Sequence, residues 1–179
     1  MIIIYKSKTG FTKKYAELIA AETGAEILPV EKADMKSLAT HDVVVFGGRC
    51  CGGVVDGLDD FRKQAEKNGI SNLLVFCTGA TPAEMTDMIG EMWKNNLSEE
   101  DMKKIPHYYL ESGICYEKMN FADKMMMKAF RHMMKKKNDK TEYEEALAKA
   151  IEQSYDNSSP ENARPLIEKL MQYRTSESS

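Results

Sequence analysis

The chain opens on an apolar, β-branched run, Ile2-Ile3-Ile4-Tyr5, which breaks into Ser7-Lys8-Thr9-Gly10-Phe11-Thr12 and then into a helix-compatible stretch from Lys13 to Ala21. A strand that passes through hydroxyls and a glycine into a helix commits the N-terminus to a βα unit. The same residues can cradle an anion. Ser7, Thr9 and Thr12 can hydrogen-bond an oxyanion, and Gly10 lets the main chain approach it. The free N–H groups and dipole of the helix start favour negative charge there. Neither GxxxxGK[ST] nor GxGxxG follows this strand, so the phosphate loops of those two types are excluded. An ordinary βα turn with a Thr N-cap fits these residues as well.

The pattern continues as alternating apolar runs and helix-period segments, which predicts a parallel sheet with crossover helices. Strands are expected at Ile2 to Lys6, Glu26 to Val30, Val43 to Phe46, Leu73 to Cys77 and His107 to Leu110. Helices are expected at about Thr12 to Glu22, Leu58 to Lys67 and Pro82 to Asn95, and a short helix or turn at Asp34 to Leu38. Val43-Val44-Val45-Phe46 and Leu73-Leu74-Val75-Phe76 are continuous rather than alternating, as central strands covered on both faces should be.

With 179 residues the length suits one domain, and the formal charge of −3 gives no basic stripe for nucleic acid. No apolar run approaches a membrane span and MIIIYKSK lacks a signal-peptide layout, so a cytoplasmic protein is expected. Cys50, Cys51, Cys77 and Cys115 form no CxxC, and His41, His107 and His132 have no metal or triad spacing. No metal is expected.

In an open parallel sheet, ligands bind beyond the carboxyl ends of the strands where strand order reverses. Three glycine-bearing loops leave those ends: Ser7 to Thr12, then Gly47-Gly48-Arg49-Cys50-Cys51-Gly52-Gly53, then Thr78-Gly79-Ala80-Thr81-Pro82. Two glycine pairs within seven residues point to unusual dihedrals or to a flat ligand against the backbone. A flexible surface loop has the same composition.

The Ser-x-Thr-Gly-x-Thr pattern and the two later loops resemble the flavodoxin-like superfamily. Within it, Ser112-Gly113-Ile114-Cys115-Tyr116 and the Met-rich segment with Asp123, Met126 and Met133 resemble the flavodoxin domain of the menaquinone-dependent protoporphyrinogen oxidase type. The resemblance implies an α/β three-layer sandwich: a five-stranded parallel sheet in order 2-1-3-4-5, helices on both faces, and extra C-terminal helices. It implies non-covalent FMN, with the phosphate on Ser7, Lys8, Thr9, Gly10, Phe11 and Thr12. The flavin ring would lie between Gly47, Gly48, Arg49, Cys50, Cys51, Gly52 and Gly53 on one side and Thr78, Gly79, Ala80 and Thr81 on the other. Those ring loops hold no aromatic residue, so an open, weakly shielded flavin is expected, with Tyr116 as a substitute wall. Arg49 either balances a reduced flavin or an acidic substrate, or is a solvent-exposed loop residue. Trp93 reads as packing.

Met119 to Lys137 gathers eight methionines and phenylalanines in a basic, helix-compatible stretch. Ala122, Met126, Ala129, Phe130 and Met133 share one stripe, flanked by Lys124, Lys128, Arg131 and Lys135. It reads as an amphipathic helix packing on the sheet, or as a basic helix touching an anionic membrane over residues 119–137. A helix from Glu142 to Tyr155, a linker at Asn157 to Pro160, and a helix from Ala163 to Tyr173 with a fraying Ser-rich tail complete the chain. The domains expected are residues 1–155 for FMN and 156–179 for a C-terminal helix and tail. The resulting function is an FMN-dependent oxidoreductase moving electrons between an organic donor and a quinone-type acceptor, with a small-molecule or protein redox partner. The alternative is a one-electron carrier between proteins.

Overall fold

A computed structural model describes residues 1–176. The central sheet is β1 (Ile2–Tyr5), β2 (Glu26–Pro29), β3 (Val44–Cys51), β5 (Leu73–Gly79) and β6 (His107–Glu111), in the order β2-β1-β3-β5-β6. All four pairings along this path are parallel, with Ile2 opposite Val44, Val44 opposite Leu73, and Val75 opposite His107. With β4 (Val54–Val55) set aside as a short antiparallel return on β3, this is the expected 2-1-3-4-5 topology.

Side chains alternate across the pleat, so each central strand feeds two cores. Ile2, Ile4, Val44, Phe46, Leu73 and Val75 face Leu58, Phe61 and Ala65 of α3 (Leu58–Lys67) and Met92 and Trp93 of α4 (Thr86–Asn96). Trp93 is indeed a packing residue. Ile3, Val45, Leu74, Phe76 and Leu110 face Tyr15, Ala16 and Ile19 of α1 (Phe11–Thr23) and Ala163, Leu166, Ile167 and Leu170 of α8 (Pro160–Ser176). Two short helices, α2 (Met35–Leu38) and α5 (Glu99–Lys104), complete the sandwich. The sequence reading missed α5, although Ser98 and Asp101 form a capping box at its start. The α4 helix begins at Thr86 rather than Pro82, because Pro82 opens a turn closed by the Met85 N–H.

The expected glycine loop is largely strand, since β3 runs on to Cys51. A Cβ on Gly47 would stand 2.1 Å from the Phe76 ring, and one on Gly48 would stand 2.8 Å from Val55 Cγ1. These two glycines make room for neighbouring side chains. Only Gly52 and Gly53, with φ of 60° and 81°, need left-handed backbone for the turn into β4.

The larger departure is at the C-terminal end. After β6, β7 (Gly113–Ile114) pairs antiparallel with β8 (Tyr155–Asp156), and this two-stranded stalk carries α6 (Phe121–Lys136) and α7 (Glu142–Ala150). The α6–α7 pair has its own small core of Ile114, Met134, Leu147 and Ile151. The chain then returns as α8 to the sandwich. A boundary at residue 155 therefore cuts the stalk, and α8 belongs to the main core; the part that stands apart is the 113–156 insertion. The 3–4 spacing of Ala163, Leu166, Ile167 and Leu170 explains why α8 packs beside α1. Residues 177–179, the end of the tail expected to fray, lie outside the described residues. Among the described residues, no helix is long and apolar enough to cross a membrane.

Leu166 is 0% exposed, so Leu166→Ala should lower the unfolding free energy by about 2–5 kcal/mol in urea titrations of the full chain. A loss below ~0.5 kcal/mol, typical of surface positions, would place α8 outside the core.

Candidate functional site

The 7–12 loop leaves β1 with the Lys6 N–H donating to Gly47 O at 2.8 Å. Gly10, at φ 103°, is the residue that caps α1, and no side chain caps it. Thr12 is not the N-cap. It is buried, and its hydroxyl lies 2.8 Å from that of Thr78, which ties α1 to the end of β5. The first intrahelical bond is Lys14 N–H to Gly10 O, so the N–H groups of Phe11, Thr12 and Lys13 precede the ladder. Ser7 Oγ is buried with no hydrogen-bond partner. An unanswered hydroxyl in the same loop as unanswered N–H groups is what an oxyanion site leaves open, and a Thr-capped turn does not.

The second wall is the β3–β4 turn. Arg49, far from being solvent-exposed, has a side chain only 13% exposed, and both its terminal nitrogens bond the Asp123 carboxylate of α6 at 3.0 Å. Its Nε also stands 3.6 Å from Asp56 Oδ2, and Asp56 is paired with Lys6 at 2.8 Å and faces Lys8 at 3.8 Å. Burial alone would raise the Asp56 carboxyl. The Lys6 hydrogen bond and the Lys6, Lys8 and Arg49 charges outweigh it and hold the group below its ordinary range.

The third wall is the end of β5. The Tyr109 hydroxyl donates to Thr81 O at 2.9 Å, the Ser112 hydroxyl to Gly79 O at 3.0 Å, and the Tyr155 hydroxyl to Ala80 O at 3.0 Å. A Cβ on Gly79 would stand 2.6 Å from the Tyr109 oxygen, so this backbone is held against the phenol.

Between these walls lies a cavity of about 530 Å³, within the range of roughly 300–1,000 Å³ usual for small-molecule sites. Thr9, Phe11, Arg49, Cys50, Cys51, Gly52, Gly53, Thr78, Gly79, Ala80 and Thr81 all line it. The other expected residues do not. Gly10 lines an adjoining pocket of about 450 Å³, while Lys8 faces Asp56 and Gly47 and Gly48 are strand residues. Tyr116 is turned away, its hydroxyl bonded to Ile151 O at 2.5 Å and its ring under Arg131.

The insertion supplies a roof that the sequence reading did not anticipate. Met119, Asp123, Met126, Met127, Phe130, Leu147 and Ile151 line the cleft from that side, so the site expected to be open is partly roofed. The inward face of α6 is also rotated from the stripe read in the sequence. Asp123 and Met134 are buried, Met127 and Phe130 half-buried, and Met133 is exposed. Met125, Met127 and Met134 all lie off that stripe, and of these Met127 and Met134 turn inward while Met125 is exposed.

All four thiols are free. A hydrogen bond with Cys77 lowers Cys50 to about 7, against the opposing effect of burial, with help from the Gly53 backbone and the Arg49 charge. Burial raises Cys77 well above its ordinary value. Among the described residues, no cluster of His, Cys, Asp and Glu could hold a metal.

Residues 2–141 match the family of the flavodoxin domain. Solved structures similar to this chain include two-electron reduced Megasphaera elsdenii flavodoxin, at 14% identity, 86% of this chain, 100% of that one and a TM-score of 0.45. They also include a flavodoxin, WrbA-like protein from Agrobacterium tumefaciens at 15% identity, 84% and 94% coverage and 0.40. Flavodoxin 1 from Bacillus cereus, at 14% identity, 73% and 97% coverage and 0.38, is a third. No curated protein matches the chain.

The family implies FMN, and the residues present fit it. The orphaned Ser7 hydroxyl and the open N–H groups of α1 suit the phosphate, and the adjoining apolar cavity suits the ring.

Two outcomes follow from this geometry. Alkylation of Cys50 in the apoprotein should rise with pH through a midpoint near 7 as the thiolate forms, and added FMN should slow it; mass spectrometry of the labelled peptides reads both. Asp123→Ala, which leaves Arg49 only the Asp56 carboxylate at 3.6 Å, should cost roughly 1.5–3 kcal/mol of stability, whereas Arg49→Met with Asp123→Leu should recover most of it in chemical denaturation.

Proposed function

We propose that this chain, which belongs to the flavodoxin domain family and binds FMN, is an oxidoreductase that passes electrons between an organic donor and a planar, apolar, quinone-type acceptor. The observation that carries the reading is the methionine-lined partial roof beside the glycine turn: it widens the apolar cleft beyond the strand ends, where a second flat molecule can lie against the flavin. FMN when bound supplies the electron transfer. The chain supplies position: the β5 backbone pinned by Tyr109 and Ser112, and an apolar ceiling of Met126, Met127 and Phe130.

The protoporphyrinogen oxidase type is the finer form of this proposal. In the FMN-loaded protein, anaerobic oxidation of protoporphyrinogen coupled to reduction of a menaquinone analogue supports it, and the absence of both half-reactions in flavin-replete protein removes it. A one-electron carrier is the alternative, consistent with the net charge of −3. A reductive titration separates the two, because a carrier holds the one-electron state over a wide range of potential and the proposed enzyme passes through in a single two-electron step.

The outward face of α6 fits the same proposal. Phe121 is 80% exposed, Met133 57% and Met125 49%, and exposed Lys124, Lys128 and Lys136 lie among them. An apolar stripe bordered by lysines is complementary to an anionic bilayer, where an apolar acceptor is found. The full chain should co-sediment with phosphatidylglycerol vesicles at low salt and less with phosphatidylcholine. Phe121→Glu with Met125→Glu should abolish binding, and equal recovery on both lipids would exclude an electrostatic membrane contact.

A further inference from the structure

The loop and the stalk enclose a second pocket, of about 450 Å³, between Thr9, Gly10 and Phe11 on one side and Ile114, Cys115, Lys118, Ser154, Tyr155 and Asp156 on the other. It adjoins the phosphate loop, and its far wall belongs wholly to the 113–156 insertion. Two cations and one carboxylate border it. Lys14 Nζ is held by Asp156 at 2.7 Å and Ser158 at 2.8 Å, so those two charges answer each other. Among the described residues Lys118 has no carboxylate within ion-pair distance, and its Nζ stands 3.5 Å from where a Cβ of Gly10 would be. The neighbouring Glu117 is engaged by the Ser154 hydroxyl at 2.7 Å and does not line the pocket. Lys118 is thus an unmatched positive charge suspended over the residue that caps α1. Gly10 is followed by the uncommitted N–H groups of the first turn, which carries no acidic residue; the orphaned Ser7 hydroxyl belongs to the same loop.

We propose that Lys118 is the cation that meets the FMN phosphate, so that the insertion, and not only the loop, recognises the cofactor. This rests on the FMN reading and deepens it. A phosphomonoester near neutral pH carries about −1.5 to −2 charges, and the loop's one lysine, Lys8, faces Asp56 at 3.8 Å. Lys118 adds the missing charge from outside the sandwich. Its position also has a conformational consequence. It lies on the turn between β7 and α6, at the root of the segment that roofs the cleft, so a phosphate gripped from both sides links α1 to the roof. FMN and riboflavin present the same ring to the cleft. Only FMN reaches Lys118, and only FMN draws the root of the insertion against α1.

The test is fluorescence titration of the full-length apoprotein with FMN and with riboflavin, for the wild type and for Lys118→Met, which keeps the length of the aliphatic stem. One charge-assisted contact is worth roughly a ten- to hundred-fold change in Kd. Lys118→Met should weaken FMN by that factor, leave riboflavin unchanged, and flatten the dependence of FMN affinity on salt. Hydrogen exchange gives a second readout. FMN should slow exchange over residues 116–136 in the wild type, riboflavin should do so less, and in Lys118→Met the two flavins should act alike. The inference is overturned if FMN affinity is unchanged in the variant, or if both flavins weaken equally, which would mark general damage to the cleft. A wild-type protein that binds riboflavin and FMN equally also overturns it while leaving a flavin site in place. One that binds neither defeats the FMN reading itself.

Discussion

Arg49 and Asp123 meet through two N–H···O bonds at 3.0 Å, with their side chains 13% and 9% exposed, and this pair fixes where the roof sits. Charges so far from water require partners, because an unmatched buried ion costs several kcal/mol. Arg49 is at the end of β3, on the rigid sheet, while Asp123 is in the first turn of α6, on an insertion attached by a two-stranded stalk. The forked geometry admits one orientation of the guanidinium against the carboxylate, so it sets both the distance and the rotation of α6. With that rotation Met127 and Phe130 are half-buried at the cleft, Met126 lines it while still 44% exposed, and Phe121 and Met125 face solvent.

The sandwich supplies the rigidity that this arrangement presupposes. Phe76 lies against Gly47, the Thr12 hydroxyl meets that of Thr78, and the Tyr15 hydroxyl donates to Glu111 O at 2.5 Å. The strand ends that form the floor are thereby tied to one another and to α1. Cofactor sites built on strand ends keep their geometry better than sites built on loops. The roof is the opposite case, with a core of four fully buried residues and several exposed methionines. The floor is thus held by the sheet, and the roof by its small core and the Arg49–Asp123 pair.

What could be read from the sequence follows the range of the interactions involved. Val43 to Phe46 and Leu73 to Phe76 announce central strands because continuous burial is a property of the run itself, and the 7–12 loop is legible for the same local reason. Gly47 and Gly48 were misattributed to a ligand because their reason is remote: the Phe76 ring and Val55, on other strands. Arg49 stayed ambiguous because its partner is 74 residues away. The face of α6 was misjudged on the assumption that it packs on the sheet, whereas its neighbours are α7 and the cleft. Lys118 carried no sequence signal at all, since an isolated lysine in a turn is ordinary until Gly10 is brought beneath it.

The central claim is that the flavin ring lies between the sheet edge and an α6 roof held by Arg49 and Asp123. A crystal structure of the full chain reconstituted with FMN tests it most directly. The expected result is the isoalloxazine between residues 49–53 and 78–81, beneath Met126 and Met127, with the Arg49–Asp123 pair intact. A ring lying outside the cleft, with α6 closed down onto residues 78–81 in its place, would contradict the account.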